Sequence, residues 1–139
     1  MEVIDASNAV AGRLATEVVK MLLKGEQVSI VNAEQAVISG DPVYMEKLFK
    51  EKYKRGDPYH GPFFPKQPDR ILKRIVRGML PYKKPVGRNA LKRLRVYISV
   101  PEELRSQEAR RLKGAENRLE CKWSSLGELS VKMGGKKRW

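Results

Sequence analysis

The sequence predicts one α/β domain, and three observations carry that reading. A strand–helix–strand pattern fills the first 31 residues, an amphipathic basic helix precedes a strong strand near residue 95, and no repeat or linker divides residues 1–139. A chain of 15.9 kDa buries roughly two-thirds of its unfolded surface, so its core needs no disulfide or metal.

Val3-Ile4-Asp5-Ala6 suits a first strand. Val10, Ala11, Leu14, Ala15, Val18, Val19, Leu22 and Leu23 then form the stripe of an amphipathic helix. Ser7 or Asn8 can cap its start, and Gly25 is suited to its left-handed end. Val28-Ser29-Ile30-Val31 follows as a second strand, completing a βαβ unit with a right-handed crossover. Ala36-Val37-Ile38-Ser39 is a third apolar patch, closed by the turn Gly40-Asp41-Pro42, and a helical pattern runs from Val43 to Arg55.

Residues Gly56 to Asp69 hold four prolines, two glycines and three aromatics, which excludes a regular helix or central strand and predicts an ordered loop. Pro68-Asp69 opens a helix to about Leu80, stopped by Pro81. On its wheel Arg70, Lys73, Arg74 and Arg77 share one arc, opposite Ile71, Leu72, Ile75, Val76 and Met79. A short helix over Asn89–Leu94, a strand over Arg95–Val100 and a further helix from Pro101 follow. The tail, about 101–139, is expected to be helical and ends in Lys136, Lys137, Arg138 and Trp139.

Hydrophobic content of 41% and charged content of 32% place the chain among globular proteins, but its net charge is +13 with a pI near 10.0. The excess is local. Between residues 50 and 95 stand Lys50, Lys52, Lys54, Arg55, Lys66, Arg70, Lys73, Arg74, Arg77, Lys83, Lys84, Arg88, Lys92, Arg93 and Arg95, against only Glu51, Asp57 and Asp69. That segment carries +12 and the remainder +1. So lopsided a distribution seeks a polyanion, of which nucleic acid is the commonest.

Catalytic patterns are missing. The turn Ala6-Ser7-Asn8-Ala9-Val10-Ala11-Gly12 holds one glycine where a dinucleotide site needs three, and there is no phosphate loop, nucleophile elbow or zinc-protease motif. Asp5, at a strand end, is expected to cap the following helix. His60 sits in the Pro/Gly loop without a partner and suits a hydrogen bond or stacking contact with RNA. One cysteine, Cys121, excludes an internal disulfide, and a cofactor or metal is not expected. No run of about 18 apolar residues spans a membrane, no leader pattern is seen, and the chain reads as cytoplasmic. Cations interleaved with Tyr53, Tyr59, Phe63, Phe64 and Tyr82 suit folded RNA, although the two phenylalanines are slightly better suited to pinning the loop to its own domain than to stacking on bases.

Val76-Arg77-Gly78-Met79-Leu80-Pro81, a spacer, Gly87-Arg88, and Leu94-Arg95-Val96-Tyr97 stand in the order and spacing of a known signature. With Ile4-Asp5-Ala6, Gly12-Arg13-Leu14-Ala15, Val31-Asn32-Ala33-Glu34 and Ile38-Ser39-Gly40, they make the chain resemble the L-thirteen family of large-subunit ribosomal proteins along nearly its whole length. His60-Gly61-Pro62-Phe63 and Tyr82-Lys83-Lys84-Pro85-Val86 resemble its archaeal and eukaryotic branch, and the compact length suggests archaeal. The resemblance implies a three-layer α/β/α domain on a mainly parallel four-stranded sheet, with a basic loop-helix extension. It also implies a structural constituent of the large ribosomal subunit that binds large-subunit ribosomal RNA, acts early in assembly and catalyses nothing. The implied partners are that RNA and neighbouring large-subunit ribosomal proteins, with no membrane and no homo-oligomer. The expected RNA contacts are the fifteen cations, His60, Lys136, Lys137 and Arg138. An off-ribosome regulatory RNA-binding protein and, more remotely, a small nucleotide-dependent α/β enzyme are the rival readings.

Overall fold

In the computed structural model, which describes residues 1–139, strand β1 (Glu2–Asp5) lies parallel to β2 (Val28–Val31), with Ile4 opposite Ile30. Helix α1 (Ala11–Lys24) is the crossover between them. Its stripe Leu14, Ala15, Val18 and Leu22 is fully buried. Gly25 ends it at φ 98°, donating to the Leu22 carbonyl, while Glu26 donates to that of Met21. Only a residue without a Cβ adopts that backbone cheaply.

The start of α1 departs from expectation. Val10 occupies the cap position and no side chain caps the helix. Ser7 is already engaged, its hydroxyl and N–H both donating to the Asp5 carboxylate at 2.6 and 3.0 Å. Asp5 therefore closes the turn after β1 rather than the helix.

Strand β3 (Val37–Ser39) is followed by α2 (Pro42–Lys54), which is capped by the Asp41 carboxylate accepting from the Val43 N–H at 2.8 Å. Helix α3 (Pro68–Met79) matches its expected span. Helix α4 (Pro85–Lys92) begins four residues before the expected Asn89, because Pro85 starts it, and it ends before Leu94. A Cβ on Gly87 would lie 2.2 Å from the Pro81 carbonyl oxygen, so the glycine lets α4 fold back against the end of α3.

Strand β4 (Leu94–Val96) pairs parallel with the other edge of β2. It is shorter than the expected Arg95–Val100. Tyr97 still donates to Ile30, but Ser99 takes φ 56° as the chain leaves the sheet. The parallel sheet thus has three strands, ordered β1-β2-β4, instead of four. Both flanks of β2 are filled, and the outer edge of β1 is closed by Arg110, whose N–H donates to Val3 and whose carbonyl accepts from Asp5. β3 pairs instead with β5 (Trp123–Ser125), antiparallel.

A core of 24 buried residues lies between the sheet and the helices. The opposite face of the sheet buries Val3 and Val31 under Leu104. That cover is not a helical layer. The tail holds two 3-10 turns, Glu102–Leu104 and Lys113–Ala115, before helix α5 (Leu126–Lys132). Residues 105–111 are nearly all polar, so no apolar stripe supports a longer helix there.

Candidate nucleic-acid interface

Helix α3 buries Ile71, Leu72 and Val76, leaves Ile75 half-buried and exposes Met79. Its cationic arc behaves unevenly. Arg70 is exposed, with no partner in the chain, and Arg77 stacks over the Tyr82 ring at 4.4 Å. Lys73 and Arg74 are recruited inward. Lys73 Nζ donates to the Leu94 carbonyl at the start of β4 (3.2 Å), and Arg74 Nη1 to the Phe63 carbonyl (2.8 Å). All four nevertheless line one groove with Phe63, Pro65 and Leu91.

The loop between α2 and α3 is ordered by its own chemistry. Gly56, at φ 88°, has the Gly61 carbonyl against it where a Cβ would sit at 2.1 Å. Asp57 and Gly61 exchange backbone hydrogen bonds. The Asp57 carboxylate accepts from the Tyr59 N–H and approaches His60 Nδ1 at 3.2 Å; these bonds, that of Tyr59 first, hold its pKa below the ordinary value. His60 therefore has the partner that the sequence did not reveal. Phe64 packs edge-on against buried Phe49, with Lys52 and Arg74 over its ring, while Lys66 covers Tyr53 at 4.1 Å. Phe63 points the other way, 66% exposed.

Beyond α3, the exposed Arg88 donates to the Lys83 carbonyl (2.9 Å), and Arg93 donates to the Leu22 carbonyl in the last turn of α1 (3.1 Å). Lys50 is paired with Glu46 along α2. Lys54, Arg55, Arg70, Lys83, Lys84, Lys92 and Arg95 are exposed, and their side chains make no hydrogen bond or ion pair within the chain. The tail adds to them, since the Lys136 carbonyl accepts from Gln67 Nε2 at the start of α3 (3.2 Å). Lys136, Lys137 and Arg138, far away in sequence, are thereby carried to the basic segment. Lys47 shares the α2 surface with Lys50 and Lys54 but lies just before the charge-dense window, so charge density alone does not pick it out.

Gly87 is filled from within by the Pro81 carbonyl, so it offers no close approach to a phosphate; Gly78, in the last turn of α3, has open space around it. No group of three or more His, Cys, Asp or Glu is placed to hold a metal ion, and no helix is long and apolar enough to cross a membrane.

Fold and surface together define a class: a small α/β domain with a concentrated cationic surface around α3 and α4. Residues 1–103 match the family model described as Ribosomal protein L13, and the chain belongs to that family. It is similar to the large ribosomal subunit protein uL13 of Methanosarcina barkeri, at 52% identity covering 98% of this chain and 99% of the relative. The corresponding protein of Archaeoglobus fulgidus is 51% identical over 81% of this chain and 72% of its own length. That of Thermoplasma acidophilum is 41% identical over 97% of this chain and 99% of its own. The family is a structural component of ribosomes rather than an enzyme, which removes the nucleotide-dependent rival.

Proposed function

We propose that this protein is a structural constituent of the large ribosomal subunit that binds and stabilises large-subunit ribosomal RNA in the cytoplasm. It takes part early in subunit assembly and touches neighbouring large-subunit proteins. One observation carries the reading: cations left free by the fold, Arg70, Lys83, Lys84 and Lys92 among them, lie on and around α3 and α4, within the segment of charge +12. Such side chains meet phosphates, which fix position and orientation on the RNA without reading its bases. The inward cations hold the surface in shape. Lys73 joins α3 to β4, Arg74 joins α3 to the loop, and Arg93 joins the end of α4 to α1. A surface preformed in this way loses little conformational entropy on binding, which suits a protein that acts before its neighbours arrive.

Binding to deproteinised large-subunit ribosomal RNA tests the proposal. With about six to ten phosphates engaged, affinity falls by roughly 10³–10⁵ between about 50 and 200 mM salt. A nearly flat salt dependence would remove the phosphate-binding reading. In the assembled subunit Lys83 and Lys84 become resistant to amine-modifying reagents, although both are exposed in the free protein.

A further inference from the structure

The two adjacent phenylalanines of the loop have opposite fates. Phe64 turns inward onto Phe49, with ring centroids 5.5 Å apart, and pins the loop. Phe63 turns outward and is 66% exposed. Nothing about its setting is slack. Its carbonyl is clamped by Arg74 at 2.8 Å, its neighbour is anchored, and its ring lies so close to Gly61 that a Cβ there would stand 3.1 Å from the ring carbons. A side chain with no polar group is thus held in water at the lip of a groove of about 290 Å³, whose other walls include Arg70, Lys73, Arg74, Arg77 and Leu91. Lys73 and Arg74 are committed to backbone carbonyls, so the groove offers outward Arg70 and the N–H edge of Arg77, whose flat face lies over Tyr82.

We infer that Phe63 is a stacking platform for one unpaired nucleobase, with the flanking phosphates held by Arg70 and Arg77. The inference rests on the proposed RNA interface and adds to it the kind of RNA recognised: a bulge, loop or junction that presents an extruded base, rather than an uninterrupted duplex. The stacked bases of a regular RNA helix show an aromatic ring no open face, whereas an extruded base supplies one. Every base has such a face, so Phe63 selects for extrusion and not for sequence. Of the other exposed aromatics, Tyr53 and Tyr82 are already covered by Lys66 and Arg77, and Tyr44, Tyr59 and Trp123 do not line this cationic groove. Phe63 combines a bare ring, a fixed backbone and cations beside it.

The test compares Phe63→Ala, Phe63→Leu and Phe63→Tyr in binding to deproteinised large-subunit ribosomal RNA across a salt series. Phe63→Ala and Phe63→Leu each weaken binding roughly 5- to 150-fold, the range for one base on one ring, while Phe63→Tyr retains it and the salt slope stays as in the parent. Full affinity in Phe63→Leu with weakened binding in Phe63→Ala would show an apolar contact and overturn stacking. Full affinity in both, with a steep salt slope, would overturn the platform while the RNA interface stands. A flat slope in the parent would remove the interface itself. Melting temperatures equal to the parent's are expected for all three variants, because the ring contributes little to the core; if one melts low, chemical footprinting of the RNA with Phe63→Tyr against the parent decides, and failure to protect any unpaired base overturns the platform.

Discussion

Lys92 and Arg93 are neighbours of one charge with opposite occupations. Lys92 is exposed with no partner, whereas Arg93 reaches the Leu22 carbonyl and closes the end of α1. The same division separates Arg70 from Arg74, one turn apart on α3. What sorts them is the supply of carbonyls with a lone pair to spare. The last turn of a helix leaves such oxygens, shared at most with a capping N–H as that of Leu22 is with Gly25, and the edge strand β4 leaves another at Leu94. A cation within reach of one is drawn in, and at a helix end its charge also complements the negative end of the dipole. Lys73 at Leu94 and Arg93 at Leu22 meet such acceptors; Lys83, Lys84 and Arg95 do not. A basic stretch in sequence is therefore two populations in space, one building the surface and one presenting it.

The largest effect that can break this division comes from the presenting group. Changing Arg70, Lys83, Lys84, Lys92 and Arg95 together to Gln should make the slope of log affinity against log salt shallower by about 4.5, taking about 0.9 for each phosphate left without its cation. Each such surface change should alter stability by no more than about 0.5 kcal/mol. If thermal denaturation shows the fold collapsing instead, these cations belong with the building group.

The apolar half of α3 gives the next largest effect. Leu72→Ala should cost about 2–5 kcal/mol in denaturant unfolding, because the side chain is fully buried. Ile75→Ala should cost less than about 2 kcal/mol, because Ile75 is half-buried at the edge of the core. Equal costs would mean that α3 is rotated from the orientation that sends Arg70 outward.

Much of this is legible in the sequence, and the limits are physical. Helical periodicity places α1 and α3 because each buries a regular stripe, and Gly25 marks the end of α1 because a left-handed residue is needed there. The α/β class follows from the first 31 residues. A strand is recognisable at Arg95 and Val96, although the sequence assigns Leu94 to a helix and carries the strand on to Val100; the partner of β3 is not recognisable, since three residues say nothing about which edge they will find. Ahead of β5 and α5 the tail forms no α-helix, because its covering role is carried by backbone bonds, such as those of Arg110 to β1, which leave no periodic signature. Charge density locates the basic surface, yet it cannot separate Arg93 from Lys92, because the carbonyl that decides between them belongs to Leu22, seventy-one residues earlier.

Arg93→Gln sharpens the comparison from the building side. Loss of the bond to Leu22 should cost about 1–2 kcal/mol in unfolding free energy, as expected for a charged donor to a partly buried carbonyl. The salt slope of RNA binding should be unchanged. A fall in slope matching that of Lys92→Gln would place Arg93 on the RNA and dissolve the distinction between the two neighbours.

The smallest effect tests whether the rule reaches beyond the basic segment. Arg111, in the covering tail, donates through Nε to the Asp5 carboxylate at 3.0 Å, tying the tail to the end of β1. Burial alone would raise the pKa of Asp5, but the Ser7 hydroxyl, the Asn32 amide, the Ser7 N–H and, least of these, Arg111 together lower it from 3.8 to about 2. A carboxylate whose pKa is depressed by folding stabilises the fold fully above its unfolded value. That contribution is lost as the pH falls from about 4 through about 2. The wild-type melting temperature should therefore drop across this window more steeply than that of Asp5→Asn, which has no carboxylate to protonate. Arg111→Gln should behave almost as the wild type does, losing no more than about 1 kcal/mol at neutral pH, because its guanidinium is largely solvated and the Ser7 and Asn32 donors remain. The titration of Asp5, followed by its side-chain carbon resonance, separates the alternatives. A slight rise on removing Arg111 keeps that cation among the weak builders, whereas a return to the ordinary carboxylate value would make it the main clamp between tail and sheet.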